Sequence, residues 1–423
     1  MTRKFPMRPL AALALCAGLA WPATAAWAQA AAAASAASAP ANAVRAELVP
    51  PLQAAQKALA AKQYDEAQRQ LQLTDAVADK SAYERYVIGR MRAGARAGLN
   101  DAPGLVQAIE DTLATGLGEP ALRLDLMNQA ANAAYVMKDY AATVRWSHQY
   151  LEAGGDQLEA RLRLAQSLYL LEQHAEAAKV LDDLAQRQAQ AGQQPGEPQL
   201  RLQASNYVKL KDDAGYLRVV EQLAAKTAKP DYWAELLARV SQQPAFDERL
   251  RIDVLRLGMA RKAWSDAAFH VELADRALAM GFAAEAEHAL LASKAAGVQG
   301  QGAVAAERDA LLERASKQAQ IDRRDTSATT PAAQASKSGQ ALFNAGYNDY
   351  TDGRSAQGLA LMEQALAKGL ARQADDAKLR LGAAYAATGD TAKARQWLAP
   401  LAAAGHGDGL SDIARLWLLG PGS

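Results

Sequence analysis

The chain has 423 residues, of which half are apolar but only 6% are aromatic, and it carries a formal charge of +1. This length allows two or three ordinary domains or one long solenoid. The balanced charge argues against general nucleic-acid binding, which needs a basic face that displaces counterions. The single cysteine, Cys16, lies within an apparent export signal, so the mature chain has no disulfide, thiolate metal site or cysteine nucleophile.

Residues 1–28 have the features of a secretory signal peptide. Arg3, Lys4 and Arg8 form a charged start, and residues 10–20 form an apolar core that is too short to span a bilayer comfortably. Small residues at Ala26 and Ala28 then offer a cleavage site. We therefore predict a periplasmic protein with no stable membrane span after cleavage, and loss of the three cations changes its formal charge from +1 to −2.

Two other fates for this segment are disfavoured. An uncleaved membrane anchor needs a longer apolar run. A lipoprotein acylated at Cys16 needs a small residue before the cysteine, whereas Leu15 is large. The next segment, residues 29–46, consists mainly of alanine, serine and proline with almost no charge, and we predict that it is disordered.

From residue 47 onwards, alanine dominates the apolar positions, and no run of alternating Val, Ile and Thr predicts a strand. Alanine is the best helix former and lets helices approach closely. Helices are predicted at 83–96, after Asp101 with Pro103 in the first turn, at 303–318 and at 409–419. The fold class is therefore predicted to be all-α.

The clearest pattern lies in residues 375–401, where Leu381-Gly382 precedes Tyr385, Gly389-Asp390 makes a break, and Ala394 and Leu398 follow. This order predicts two amphipathic helices joined by a tight turn, with Gly382 and Ala394 where the helices cross. It resembles the tetratricopeptide repeat, a helix-turn-helix unit of 34 residues.

The same pattern recurs along the chain. The turns Lys62-Gln63-Tyr64 and Lys138-Asp139-Tyr140 match it, and His174 follows Tyr140 by one repeat length of 34 residues. The resemblance covers most of residues 48–406 in about nine units, many of them degenerate. It implies a right-handed α-solenoid of stacked helix pairs.

The solenoid is predicted to form two arrays. The N-terminal array covers 47–318, and the C-terminal array covers 339–419 with a capping helix at its end. Residues 319–338 lose the periodicity and carry Thr, Ser, Ala and Pro, so they are predicted to be a linker.

No pattern indicates a catalytic residue, a metal site or a cofactor site. The five histidines are scattered, Gly353-Arg354-Ser355-Ala356 does not continue as a nucleophile elbow, and no phosphate-binding glycine loop is present. Residues 348–353 resemble a calcium loop only faintly, because Tyr350 stands where an oxygen ligand is needed.

The resemblance implies that the first helices of successive units line a concave groove for a protein or peptide partner. Asparagine can bond a peptide backbone, arginine can bind a carboxylate bidentately, and tyrosine offers flat contact area. Carried over by position, the groove residues are Asn128, Asn132, Tyr135, Arg163, Arg201, Phe343, Asn344, Tyr347, Tyr350 and Arg380.

We therefore predict a non-catalytic periplasmic scaffold or adaptor that binds a partner in the cell envelope. The alternative is a structural arm of an envelope machine for polysaccharide secretion, outer-membrane biogenesis or TonB-type transport, in which the convex face or the linker matters more. An enzyme is the third and least favoured hypothesis.

Overall fold

The computed structural model describes residues 42–419, apart from residues 228, 265, 299, 371 and 372 and the side chains of 326–329. The predicted signal peptide at 1–28, and residues 29–41 of the segment predicted to be disordered, lie outside the described residues.

Within the described part of the chain there are twenty α-helices and no β-strand, which confirms the all-α prediction. In chain order they are α1 Val49–Ala60, α2 Tyr64–Leu73, α3 Ala82–Gly98, α4 Ala102–Leu113, α5 Pro120–Val136, α6 Tyr140–Glu152, α7 Leu158–Leu170, α8 His174–Gln190, α9 Glu197–Leu210, α10 Asp213–Thr227, α11 Pro230–Ser241, α12 Arg251–Ala260, α13 Ala267–Ala279, α14 Ala283–Ala295, α15 Ala303–Ala335, α16 Gln340–Thr351, α17 Ser355–Lys368, α18 Ala374–Thr388, α19 Thr391–Ala403 and α20 Leu410–Leu418. Consecutive helices pack against each other in pairs, as in a helical repeat protein.

Local capping signals explain where several helices begin. Helix α3 starts with a capping box, in which Ser81 accepts from the Glu84 amide while the Glu84 carboxylate accepts from the Ser81 amide. Asp101 caps α4 by accepting from the Gly104 amide at 3.0 Å, and Pro103 lies in the first turn. Both helices were predicted at these positions.

The turn inside each pair repeats one geometry. Lys62, Asn100, Lys138 and Glu172 all have left-handed backbone conformations, with φ between 55° and 62°. The amide after each of these residues donates to the carbonyl five positions earlier, as in Gln63 to Ala58, Asp101 to Arg96, Asp139 to Ala134 and Gln173 to Leu168. Glycine occupies the same turn position at Gly353 and Gly389. This bond satisfies the helix-terminal carbonyl and fixes the tight turn that the repeat pattern predicts.

The described helices divide into two compact units at Tyr216. In unit 1, from residue 42 to 216, apolar residues from neighbouring helices form the core. One cluster joins α1, α2 and α3 through Leu52, Leu71 and Met91, and another joins α3 to α6 through Ile109 and Trp146.

In unit 2, from residue 217 to 419, the last helices pack against the first ones. The Asp247 amide donates to the Asp408 carbonyl at 3.0 Å, and Gln243 donates to the Asp412 carboxylate at 2.8 Å. The Arg249 guanidinium contacts the carboxylates of both Asp376 and Asp408. The helices after residue 339 are therefore an integral part of the unit that also contains α11–α14.

This grouping differs from the two predicted arrays. Helix α15 continues to Ala335, through most of the 319–338 segment that was predicted to be a linker, and it contains Pro331. Ala319 is 1% exposed and packs with Ala283 and Ala284 of α14. Tertiary packing thus maintains a helix where Thr, Ser and Pro weaken the local propensity.

The packing residues predicted in 375–401 are confirmed. Leu381, Tyr385, Ala394 and Leu398 are each at most 4% exposed, and Gly382 lies against Leu398. None of the described helices combines the length and apolar character needed to cross a membrane.

Candidate binding sites

The first candidate site lies in unit 1 on α5 and α7, the first helices of two successive pairs. The Asn128 side chain on α5 donates to Gln157 Oε1 at 2.8 Å, and its Oδ1 accepts from Arg163 Nη2 on α7. Two of the predicted groove residues, separated by 35 positions, are therefore in direct contact. We call Asn128, Tyr135 and Arg163 the α5/α7 site.

Arg163 is unusual in its electrostatic surroundings. Among the described residues no carboxylate forms an ion pair with it, and its Nε is buried without a hydrogen-bond partner. Burial lowers the pKa of Arg163 to about 10, although Tyr150, Glu159 and Tyr135 oppose that shift. A desolvated guanidinium whose donors are incompletely used is a site for an acceptor, such as a carboxylate or a peptide carbonyl.

Tyr135 is close enough to Arg163 for each to affect the titration of the other. Burial, followed by the neighbouring Tyr140, raises the pKa of Tyr135, whereas Arg163 lowers it. Asn132 is half-buried one turn from Asn128 on α5, and Arg201 is half-buried on α9. Predicted groove residues with polar side chains therefore lie on α5, α7 and α9.

The second candidate site is a cavity of about 440 Å³ inside unit 2, lined by α12–α14, α16–α18 and α20. It brings together three predicted groove residues, Tyr347, Tyr350 and Arg380. Its remaining lining combines five alanines with six polar or charged side chains and three larger apolar ones: Arg256, Met259, Ala260, Leu273, Glu285, His288, Ala289, Thr351, Ser355, Ala383, Ala384, Ala387, Thr388 and Trp417.

A charge-balanced cluster forms one wall of this cavity. Arg256 donates to both oxygens of Glu285 at 2.7 Å each and to Asp253 at 2.8 Å, and Arg380 donates to Asp253 at 3.1 Å. The Tyr347 hydroxyl donates to Glu285 at 3.0 Å, and the Arg256 guanidinium lies 4.7 Å from the Tyr347 ring centroid. Two arginines and two carboxylates cancel, so the cluster holds helices together and leaves no net charge for an ionic ligand.

Two of the three aromatic residues on α16 that were predicted to line the groove are buried inside unit 2. Phe343 is 2% exposed and Tyr347 is 4% exposed, so both belong to the interior of unit 2. Burial raises the pKa of Tyr347 well above its usual value and also raises that of Tyr350. Asn344 is half-buried and accepts from Gln340 at 3.1 Å. Only Tyr350 of the three aromatics remains half-buried at the cavity.

Arg380 is likewise committed to an internal contact, because both its Nε and its Nη2 bond to Asp253. No pattern in the sequence predicted a role for Asp253, Arg256 or Glu285. They lie in degenerate repeats, and nothing in the order of residues distinguishes a buried charge cluster from a solvated helix face. The only available signal was the unusual number of aromatics on α16.

His174 occupies a turn position held by tyrosine in the preceding unit. Its ring lies 5.0 Å from the Tyr169 ring, so His174 packs across the turn between α7 and α8. Over the described residues, no group of three or more His, Cys, Asp or Glu side chains is placed to hold a metal ion.

The fold and these sites describe an all-α protein of pairwise packed helices, compatible with a helical repeat protein. Comparison with known protein families finds no match, and comparison with curated proteins finds no relative.

Proposed function

We propose that this protein is an exported, non-catalytic adaptor of the tetratricopeptide-repeat type, which binds a protein or peptide partner in the cell envelope. The repeated turn geometry and the helix pairs support this class, and the features of residues 1–28 support export to the periplasm. The α-solenoid and its concave groove belong to this proposal.

The observation that carries the proposal is the incompletely bonded guanidinium of Arg163. Arg163 is half-buried, but its Nε atom is buried without a partner. A desolvated charge without an ionic partner is costly to maintain, so a structural role alone does not account for it. A bound carboxylate, or a peptide carbonyl, would accept from the unused donors of Arg163. Asn128 and Tyr135 would flank that contact with polar and aromatic surface.

The experiment begins with the tagged mature chain, residues 29–423, used to isolate partners from an envelope extract. The partner segment that binds is then mapped and measured by calorimetry against wild type and Arg163→Met. Because one charge-assisted hydrogen bond contributes about 1.5–3 kcal/mol, we expect binding to weaken at least about tenfold.

Arg145→Met is a matched control, because Arg145 is an exposed arginine on α6 that pairs with Glu110. The control should bind like wild type. If Arg163→Met also binds like wild type, the α5/α7 site is not the contact. Partner binding that does not depend on Arg163 would then favour the structural-arm hypothesis.

Export is tested separately by fractionating cells that produce the full chain. We expect the protein in the periplasmic fraction with a new N-terminus near Gln29, as determined by mass spectrometry. Retention of an intact N-terminus in the membrane fraction would contradict cleavage.

A further inference from the structure

A second cavity in unit 2, of about 470 Å³, lies among α14, α15 and α16. Six alanines form part of its walls: Ala284 on α14, Ala319, Ala332 and Ala333 on α15, and Ala341 and Ala345 on α16. Because these side chains end in a methyl group, they leave room for a slender aliphatic chain and present an apolar surface to it.

The polar lining of this cavity is acidic. It contains four aspartates, Asp322, Asp325, Asp349 and Asp352, and two arginines, Arg323 and Arg354, which leaves a formal charge of −2. Arg354 contacts both Asp349 and Asp352, while Arg323 is shared between Asp352 and Glu287 of α14. Both arginines are therefore occupied by more than one carboxylate.

Among the described residues, three buried polar atoms in the lining lack a hydrogen-bond partner: Asp349 Oδ2, Asn348 Oδ1 and the Thr330 hydroxyl. Asp349 is only 2% exposed, and its Oδ2 accepts no hydrogen bond, although Oδ1 accepts from Arg354 at 2.6 Å. The neighbouring Asn348 donates to the Gly281 carbonyl at 3.1 Å, but its Oδ1 also has no partner. Both acceptor oxygens belong to residues that line the same cavity, so a ligand that donates several hydrogen bonds would satisfy them.

We propose that this cavity binds the cationic side chain of a lysine or arginine from a partner polypeptide. The cationic head would donate to Asp349 Oδ2 and Asn348 Oδ1, and the methylene stem would lie along the alanine walls, as such stems do on apolar surfaces. The described residues offer no three-ligand metal group, so the acceptors suit an organic cation better than a metal ion. The inference concerns unit 2 and does not rest on the role proposed for Arg163.

The test uses the mature full chain and a fluorescein-labelled peptide of alternating alanine and lysine, with an alanine-glutamine peptide as the uncharged probe. Binding is measured by anisotropy for wild type, Asp349→Asn, Ala345→Leu and the control Asp375→Asn. Asp375 is a half-buried aspartate on α18 that pairs with Lys378, so Asp375→Asn makes the same chemical change outside the cavity. Thermal melting confirms that each variant is folded.

We expect the lysine peptide to bind wild type and Asp375→Asn equally, and to bind Asp349→Asn and Ala345→Leu at least about tenfold more weakly. The glutamine peptide should not bind. If Asp349→Asn fails to fold because Arg354 loses a partner, Ala345→Leu decides the outcome by filling the cavity. The proposal is overturned if wild type does not bind the lysine peptide, or if the folded cavity variants bind it like wild type. Cadaverine binding as tight as that of the peptide would overturn the assignment to a polypeptide.

Discussion

Arg380 and Asp253 are 127 positions apart in the chain, yet Arg380 donates from both Nε and Nη2 to the Asp253 carboxylate at 3.1 Å each. The two residues are 8% and 2% exposed. Asp253 lies on α12 and Arg380 on α18, so this ion pair joins the early and late helices of unit 2. Burial tends to raise the pKa of Asp253, but Arg380 and Arg256 outweigh it and lower the pKa.

The first prediction concerns the stability of this pair. Arg380→Met leaves the buried Asp253 carboxylate with Arg256 alone, and we expect unit 2 to lose about 3 kcal/mol of unfolding free energy. Urea unfolding followed by tryptophan fluorescence reports on this unit, because four of the five tryptophans after residue 28 lie in it: Trp233, Trp264, Trp397 and Trp417.

The double variant Asp253→Leu/Arg380→Met is the control, because it removes both charges and retains apolar volume. We expect it to be more stable than the Arg380→Met single variant. Equal stability of wild type and Arg380→Met would show that the ion pair does not hold these helices together.

The second prediction compares two arginines on α7. Arg161 is 12% exposed and pairs with Asp156 and Asp183, whereas Arg163 has no such pair among the described residues. Arg161→Met should lose about 1 kcal/mol of unfolding free energy. Arg163→Met should lose less than about 0.5 kcal/mol, because relief of desolvation offsets the lost bond to Asn128.

Chemical unfolding monitored by the single tryptophan of unit 1 after residue 28, Trp146, measures both variants. A loss for Arg163→Met as large as that for Arg161→Met would indicate that Arg163 has a structural role. In that case, reduced partner binding by Arg163→Met could not be attributed to direct contact.

The third prediction concerns acid stability through Glu84. This carboxylate is 1% exposed and accepts from the Arg45 amide at 2.9 Å, the Arg45 guanidinium at 2.9 Å and the Ser81 amide at 2.8 Å. Burial alone would raise its pKa, but these donors outweigh it and lower the pKa from 4.5 to about 2. The folded-state pKa is depressed, so the stabilisation is present above about pH 4.5 and is lost as the pH falls towards about 2.

Thermal melting at pH 7, 5 and 3 tests this effect in wild type and Glu84→Gln. The wild type should be more stable at pH 7, and its advantage should shrink between pH 5 and pH 3. Glu110→Gln, which changes a half-buried carboxylate on α4 that pairs with Arg145, should follow the wild-type profile. If the stability difference between wild type and Glu84→Gln stays constant with pH, ionisation of Glu84 is not the source of the acid sensitivity.

The fourth prediction compares two glycines at helix crossings. A Cβ at Gly358 would lie 2.4 Å from the Tyr350 amide nitrogen and 2.5 Å from the Gly346 carbonyl oxygen, both backbone atoms. A Cβ at Gly382 would lie 2.6 Å from Leu398 Cγ, which belongs to a side chain that can shift. We expect Gly358→Ala to cost about 3 kcal/mol and Gly382→Ala about 1 kcal/mol.

Thermal unfolding of both variants measures which substitution destabilises the protein more. The reverse order would show that α16 and α17 can move apart more easily than Leu398 can repack. Gly353→Ala provides a comparison in which the strain arises from the backbone, because Gly353 has a φ of 91° and no atom lies within 4 Å of its added Cβ.

The sequence predicted most helices because their signals are local. The caps at Asp101 and Asp390, the turn at Lys138, and the alternation of small and large residues around Gly382 all act within one helix pair. A repeat pattern can be recognised in the sequence for the same reason, because each helix pair contacts mainly the neighbouring pairs along the chain.

The extent of α15 was not predictable in this way. Residues 319–335 lack a helical apolar period, and Pro331 argues against a helix. The helix is stabilised by contacts of Ala319 with Ala283 and Ala284, which lie more than thirty positions away. Long-range packing therefore outweighs local propensity here.

In the candidate sites too, contacts between neighbouring repeats were predictable, whereas contacts between distant helices were not. Arg163 and Asn128 were predicted to share a face, because equivalent positions of successive repeats lie side by side, and the structure places them in contact. Tyr347 and Arg380 were predicted to face a partner, whereas the structure buries them against Glu285 and Asp253. No local signal in a repeat indicates that later helices pack onto earlier ones.

The sequence by itself therefore determined the helices, the turns that join them and the small residues at their crossings, because each depends on neighbours within a few dozen positions. Only the tertiary structure decided which polar side chains are satisfied inside the protein and which still lack a partner. The reason is that hydrogen bonding and desolvation depend on residues brought together from distant parts of the chain. Arg380 and Arg163 have the same side chain, but Arg380 bonds to the Asp253 carboxylate. Arg163 donates to the neutral side chain of Asn128 and forms no ion pair among the described residues.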